Sequence, residues 1–480
     1  MQSSKRSFRL VVSIATCLFT LFAVAGSSIL LRSPAASAST AHATNTMQDG
    51  FVAHPVTIKP VTKTLGSVQS LRIKTAPVNG TNKVLFPCQS DTNPMPLLCY
   101  GPGQIEQAYG VQGLLQHNIT GKGSNIVIVD AYGSPTIKAD LQAFDAAWDL
   151  PDPSFTIVTP YGVNGANGGW IGETTLDVEW SHAMAPGATI TLVVAQSNSD
   201  VDLYNAIKYA VDQNLGDVIS LSFGENESCV DPNLLTAEHQ VFQAAANKGI
   251  SVLASTGDFG SAQVTCDGSS FTTAVSSPAS DPLVTAVGGT TLTANATTGQ
   301  YIGETAWNES GIFSAAGGGG YSVLNQRPDY QSGVTGTIAG RAVPDLSLNA
   351  SINGGVLVYQ TDPFSGQEYV TIFGGTSVAT PELAGIVADG VQMAHHRLGF
   401  LNKGFYTLGK VFWRARLLMI SPPATISSSH LALRATQCNT GGMLSPVGVH
   451  PKPLTCCLCS LFACMPTTRT ASSTCIDVKL

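Results

Sequence analysis

The sequence predicts an α/β fold, a doubly wound parallel sheet with helices on both faces. Three observations carry this. Continuous apolar runs of strand length recur between residues 125 and 255, as expected of strands buried on both faces. Segments with helical spacing separate them, the alternation that parallel strands with crossover helices require. The chain of 480 residues is 44% apolar, enough for a substantial core, and its 48 glycines supply many tight turns.

Asn125-Ile-Val-Ile-Val-Asp130 is the first such strand. Lys138 to Asp149 follows with helical spacing, placing Leu141, Phe144 and Trp148 on one face. Residues 189–194 form the next buried strand, and Asp200 to Asp212 a helix for which Asp200 is the cap. Strands at 217–223 and 250–255 flank a helix around Leu234–Ala246. Ligands of such sheets sit at the carboxyl ends of the strands, which directs attention to the loops after Asp130, Phe223 and Ser255. Upstream, residues 39–85 are polar, without helical period, and read as a short pro-segment or tether.

Lys5, Arg6 and Arg9 precede an apolar run from Leu10 to Leu31, and Ala36-Ser37-Ala38 fits a signal-peptidase site. Residues 1–38 therefore read as a signal peptide, and the protein as secreted and extracellular, without membrane attachment after cleavage. The alternative is an uncleaved anchor, because the run is long enough to span. Charged residues make up 11% of the chain, against about 25% in an average domain. The formal net charge is −7 and the 24 Lys and Arg form no long run, which argues against a nucleic-acid partner. A surface poor in carboxylates loses few ion pairs in acid, a hint of an acidic workplace. Beyond the signal, the first cysteines are Cys88, Cys99, Cys229 and Cys266. Three pairings are open to them in an exported chain; Cys88–Cys99 and Cys229–Cys266 are favoured because each closes a loop within one region.

Three motifs carry chemistry. Gly374-Gly-Thr-Ser-Val-Ala-Thr-Pro381 puts Ser377 on a Gly-rich turn opening a helix from Glu382 to Met393, where a nucleophile would find backbone donors for an oxyanion. A helix-capping role explains the same serine. Glu173 and Asp177 stand four residues apart, one face of a helix, with Leu176, Trp180 and Met184 toward the buried side. That places both carboxyls at the core edge, where like charges share a proton; two surface acids are the alternative. Asp258 follows a strand in Ser255-Thr-Gly-Asp-Phe-Gly260. It suits a protonated acid donating to an oxyanion, or an Asx turn. No histidine stands in a His-Gly-Thr-His setting: His182 lies in a helix, and His395 and His396 end one.

Along the chain the order is a Glu-x-x-x-Asp helix, an Asp after a strand, then Gly-Thr-Ser before a long helix, and in this order the three motifs resemble those of the sedolisin family, the serine-carboxyl peptidases. The resemblance extends to Cys99-Tyr-Gly-Pro-Gly-Gln-Ile-Glu-Gln-Ala-Tyr109, Ser277-Pro-Ala-Ser-Asp-Pro-Leu-Val-Thr-Ala-Val-Gly-Gly-Thr290, Gly317-Gly-Gly-Gly-Tyr-Ser322 and Arg341-Ala-Val-Pro-Asp-Leu346, and covers residues 86–409. It implies a subtilisin-like fold and a monomeric endopeptidase that hydrolyses peptide bonds of protein or peptide substrates at acidic pH through an acyl-enzyme. Residue by residue, it implies Ser377 as nucleophile, Glu173 as general base in place of the usual His, Asp177 orienting Glu173, and Asp258 supplying an oxyanion-hole hydrogen bond. Asp130 resembles the triad Asp of His-dependent subtilases; without their His it reads as structural or supporting. The run Gly317–Gly320 lacks the Lys-Ser or Lys-Thr of a phosphate cradle and reads as a flexible wall of a peptide cleft.

The resemblance also implies calcium, bound in the family's C-terminal part. Residues 410–480 carry one acid, Asp477, against seven Lys or Arg, and six cysteines. Calcium needs several oxygen ligands, so its ligands are not identifiable here and no metal-binding residue is assigned. Cys456, Cys457, Cys459 and Cys464 lack paired C-x-x-C spacing for zinc. The segment reads as an atypical Cys-rich tail, consistent with out-of-frame translation. The family's large folded prodomain has no counterpart in the short 39–85 segment. The competing function is a catalytically impaired remnant of such a peptidase, missing the calcium-binding part.

Overall fold

The computed structural model describes residues 86–89, 97–310, 313–333 and 339–417. Its centre is an eight-stranded sheet. The strands are β1 (Asn125–Ala131), β2 (Phe155–Val158), β3 (Thr189–Ala195), β4 (Val218–Leu221), β5 (Ser251–Ser255), β6 (Thr285–Ala294), β7 (Tyr301–Ala306) and β8 (Leu346–Asn349). Their order is β7-β6-β5-β4-β1-β3-β2, with β8 also paired to β6. All neighbours are parallel except β6 and β7, so the predicted parallel sheet carries one antiparallel edge.

Among the described residues six helices of twelve or more residues accompany it: α1 (Ile137–Trp148), α2 (Gly168–Met184), α3 (Asp200–Asp212), α4 (Pro232–Asn247), α5 (Thr376–Ala394) and α6 (Asn402–Leu417). Alternation along the strands assigns them to faces. Ile126 and Ile128 of β1 pack with Leu141, Leu176, Trp180 and Leu383, from α1, α2 and α5. Val127 and Val129 pack with Leu203, Ile207, Val241 and Phe242, from α3 and α4. Helices thus cover both faces. Ser199, not Asp200, caps α3, its hydroxyl accepting from the Asp202 amide. Asp231 caps α4 ahead of Pro232. Helix α6 runs eight residues past position 409, so the tail boundary at 410 cuts through a helix; the rest of the tail, residues 1–85 and the cysteines from Cys438 onward lie outside the described residues.

The position of α2 differs from expectation. Every residue from Trp170 to Met184 is buried, Glu173, Asp177 and Glu179 among them. The helix is enclosed by the sheet, by α5 and by the strand Gly355–Thr361, whose Leu357 carbonyl accepts from Trp180 Nε1 at 2.9 Å. The two carboxyls are therefore inside the core and not at its edge. Two disulfides, Cys88–Cys99 and Cys229–Cys266, join Cα atoms 5.2 Å apart, each closing a loop within one region.

Candidate active site

The strand Glu368–Phe373 ends in Gly374 and Gly375, and α5 begins at Thr376. Gly375 has φ 121°, and a Cβ there would lie 2.8 Å from Asp258 Oδ2. Only glycine permits both this backbone and the approach of the Asp258 carboxyl. That carboxyl accepts at Oδ1 from the Thr376 amide (2.8 Å) and the Thr376 hydroxyl (2.9 Å). The hydroxyl in turn accepts from the Gly257 amide at 3.1 Å. The loop after β5 is thereby fastened to the residue preceding Ser377, in the first turn of α5.

Glu173 lies in the amino-terminal half of α2 and Asp177 just past its midpoint, both fully buried. Ser222, in the loop after β4, donates to Asp177 Oδ1 at 2.9 Å. Burial holds the Glu173 carboxyl well above the usual carboxylate range, and the charges of Asp130 and Asp258 add to this. The Ser377 hydroxyl offsets part of the rise, although neither Glu173 oxygen accepts a bond of conventional geometry. Asp177 is raised by burial, then by Asp130 and Glu173, against the bond from Ser222. Asp130, at the carboxyl end of β1, is pushed up to about 7 by burial, with Thr174 opposing. Three carboxyls from two elements thus face one another out of water, and a proton shared among them is the physical consequence.

Ser377, Glu173, Asp177 and Asp258 come together at the carboxyl ends of the strands, with Asp130 beside them. His182 does not join them: its Nε2 lies 2.9 Å from the Pro151 carbonyl and 3.2 Å from Asp145, in the last turn of α2. Backbone hydrogen bonds fasten the glycine run. Gly317, Gly318 and Gly319 donate to the carbonyls of Trp307, Gly257 and Gly260, and Thr256 Oγ1 donates to the Gly318 carbonyl. It is a bonded wall against the Asp258 loop. Sequence reasoning missed Ser222, Thr174 and Thr376 as supports. The signal for Thr376 was its place in Gly-Thr-Ser; a serine or threonine at a strand end or inside a helix carries none. Among the described residues no group of three His, Cys, Asp or Glu side chains is placed to hold a metal ion, so no side-chain donor set for the calcium implied by resemblance is found there.

A profile of the Subtilase family matches residues 163–399. Kumamolisin from Bacillus sp. (strain MN-32) is 33% identical over 327 residues, covering 64% of this chain and 55% of that protein. Sedolisin from Pseudomonas sp. (strain 101) is 34% identical over 304 residues, 60% of this chain and 50% of that protein. The chain spans about half the length of the curated relatives it matches. The solved structure of Pseudomonas sedolisin, a serine-carboxyl proteinase complexed with two molecules of pseudo-iodotyrostatin, superposes with a TM-score of 0.60 at 30% identity, covering 67% of this chain and 88% of that one.

Proposed function

The chain belongs to the sedolisin family, and from that premise we propose that it is a secreted serine-carboxyl endopeptidase working in acid. The observation that carries this is the convergence of Ser377 at the start of α5, Glu173 on α2 and Asp258 bonded to the Thr376 amide. In this reading Ser377 Oγ attacks the scissile carbonyl and its proton passes to the Glu173 carboxylate. Asp177, held by Ser222, orients Glu173. Protonated Asp258 donates to the oxyanion, together with backbone amides at the helix start. Glu173 then protonates the leaving amine, and water attacks the acyl-enzyme by the same steps in reverse. No step runs through calcium. Export is supported by the pattern of residues 1–38 and by the two disulfides. Among the described residues no helix is long and apolar enough to cross a membrane.

The test is hydrolysis of a denatured protein by the full chain across pH, with Ser377→Ala as control. Cleavage in acid that the variant lacks is the expected result. Equal, negligible rates would favour the impaired remnant, and a neutral optimum untouched by Glu173→Gln would revive a His-dependent mechanism.

A further inference from the structure

Phe259 directly follows Asp258, yet its side chain is 38% exposed while Asp258 is buried. Its backbone is rigid: the Ala316 amide donates to the Asp258 carbonyl at 2.8 Å, and the Gly260 amide donates to the Ala316 carbonyl at 2.9 Å. The ring meets Phe271, 57% exposed, with centroids 5.2 Å apart and planes tilted by 56°. Phe271 lies on a hairpin formed by Ala262–Val264 and Phe271–Thr273, which Cys266 ties to Cys229. Two large apolar rings held in water on fixed supports leave unburied area that a ligand can cover. Their neighbour Asp258 is bonded to the residue before Ser377, and adjacent Cα atoms lie about 3.8 Å apart. The exposed pair thus adjoins, along the chain, the residue that is bonded to the start of α5.

We propose that Phe259 and Phe271 form an aromatic subsite of the cleft, taking a large apolar side chain, aromatic or long aliphatic, of an extended peptide. The substrate class rests on the peptidase reading. The experiment uses otherwise identical soluble peptides carrying Phe or Ala at each position in turn. They are given to the parent chain, Phe259→Ala, Phe271→Ala, the double variant and Phe259→Leu. At one position the parent prefers Phe, and the double variant loses at least about tenfold of that kcat/KM ratio, the scale of one buried ring. Phe259→Leu keeps part of it. A second arm measures binding of the same peptides to the Ser377→Ala chain, where Phe259→Ala weakens the Phe peptide about tenfold more than the Ala peptide. A parent that cleaves all peptides alike, or a double variant that loses equally on Phe and Ala peptides, overturns the subsite and leaves the peptidase reading standing. A parent that cleaves nothing, while the Ser377→Ala chain binds Phe peptides through Phe259, does the reverse.

Discussion

A carboxyl that is to take a proton from Ser377 must first lose its own, and burial works against that at Glu173. Burial and the charges of Asp130 and Asp258 hold it well above the usual range, so the ascending limb of the pH profile lies above the ordinary Glu value of about 4.3. An optimum in mild acid, not strong acid, is expected. Asp130, itself raised to about 7, is largely protonated in mild acid, so Asp130→Asn should leave the ascending limb of kcat/KM nearly unmoved; a limb that shifts to lower pH would show that Asp130 is ionised at the working pH and acts on the pair. Glu173→Gln and Ser377→Ala should each cut kcat by about 10⁴-fold or more, since the two act as one unit. Asp258→Asn should be milder, because the amide still donates. It also has no proton to lose, so its descending limb should extend to higher pH, which a full profile would reveal.

At the scale of elements, the site is the seam between α2 and α5. Gly385 lets these helices touch: a Cβ there would lie 2.5 Å from Met184 Cβ and 2.9 Å from the Ser181 carbonyl. Gly385→Ala must push the helices apart, at about 1–3 kcal/mol of stability by urea unfolding. It should also lower kcat more than it raises KM, because Glu173 rides on one helix and Ser377 on the other. A variant as active and as stable as the parent would show that the seam does not set the geometry. The strand and helix alternation was legible because each element announces itself within a few residues, as do disulfide partners 11 and 37 residues apart. The burial of α2 was not. Leu176, Trp180 and Met184 mark one buried face, and the acids between them read as outward. Their partners come from far along the chain: Ser222 lies 45 residues from Asp177, and the Tyr359 amide 180 residues from Glu179. No local period records such pairings. For the same reason the aromatic pair beside Asp258 shows only after the hairpin has folded.

Across the described residues, the buried and half-buried acids point one way. Burial raises Glu106 and Asp130 to about 7, Glu238 to about 8 and Glu225 to about 9. It also raises Glu179, Glu304, Glu382 and Asp389, of which Glu382 accepts no hydrogen bond at either oxygen. Each is a group whose folded pKa exceeds its unfolded value. Its contribution to stability is complete below the unfolded pKa, near 4, and is lost as pH rises through the folded one. Among the described residues the opposite case falls on exposed carboxyls such as Asp267, lowered to about 2 by hydrogen bonds from Thr265 and Ser269. Where one such acid is protonated folded and ionised unfolded, the folded-to-unfolded ratio falls about tenfold per pH unit. The thermal midpoint of the Ser377→Ala chain, free of self-cleavage, should therefore be highest near pH 4 and decline steadily toward pH 8. Glu382→Gln should flatten that decline, because a neutral amide removes one proton from the unfolding equilibrium. A midpoint that is level or rising across this range would mean that the buried acids find compensating cations, and that acid is not the condition under which this fold is most stable.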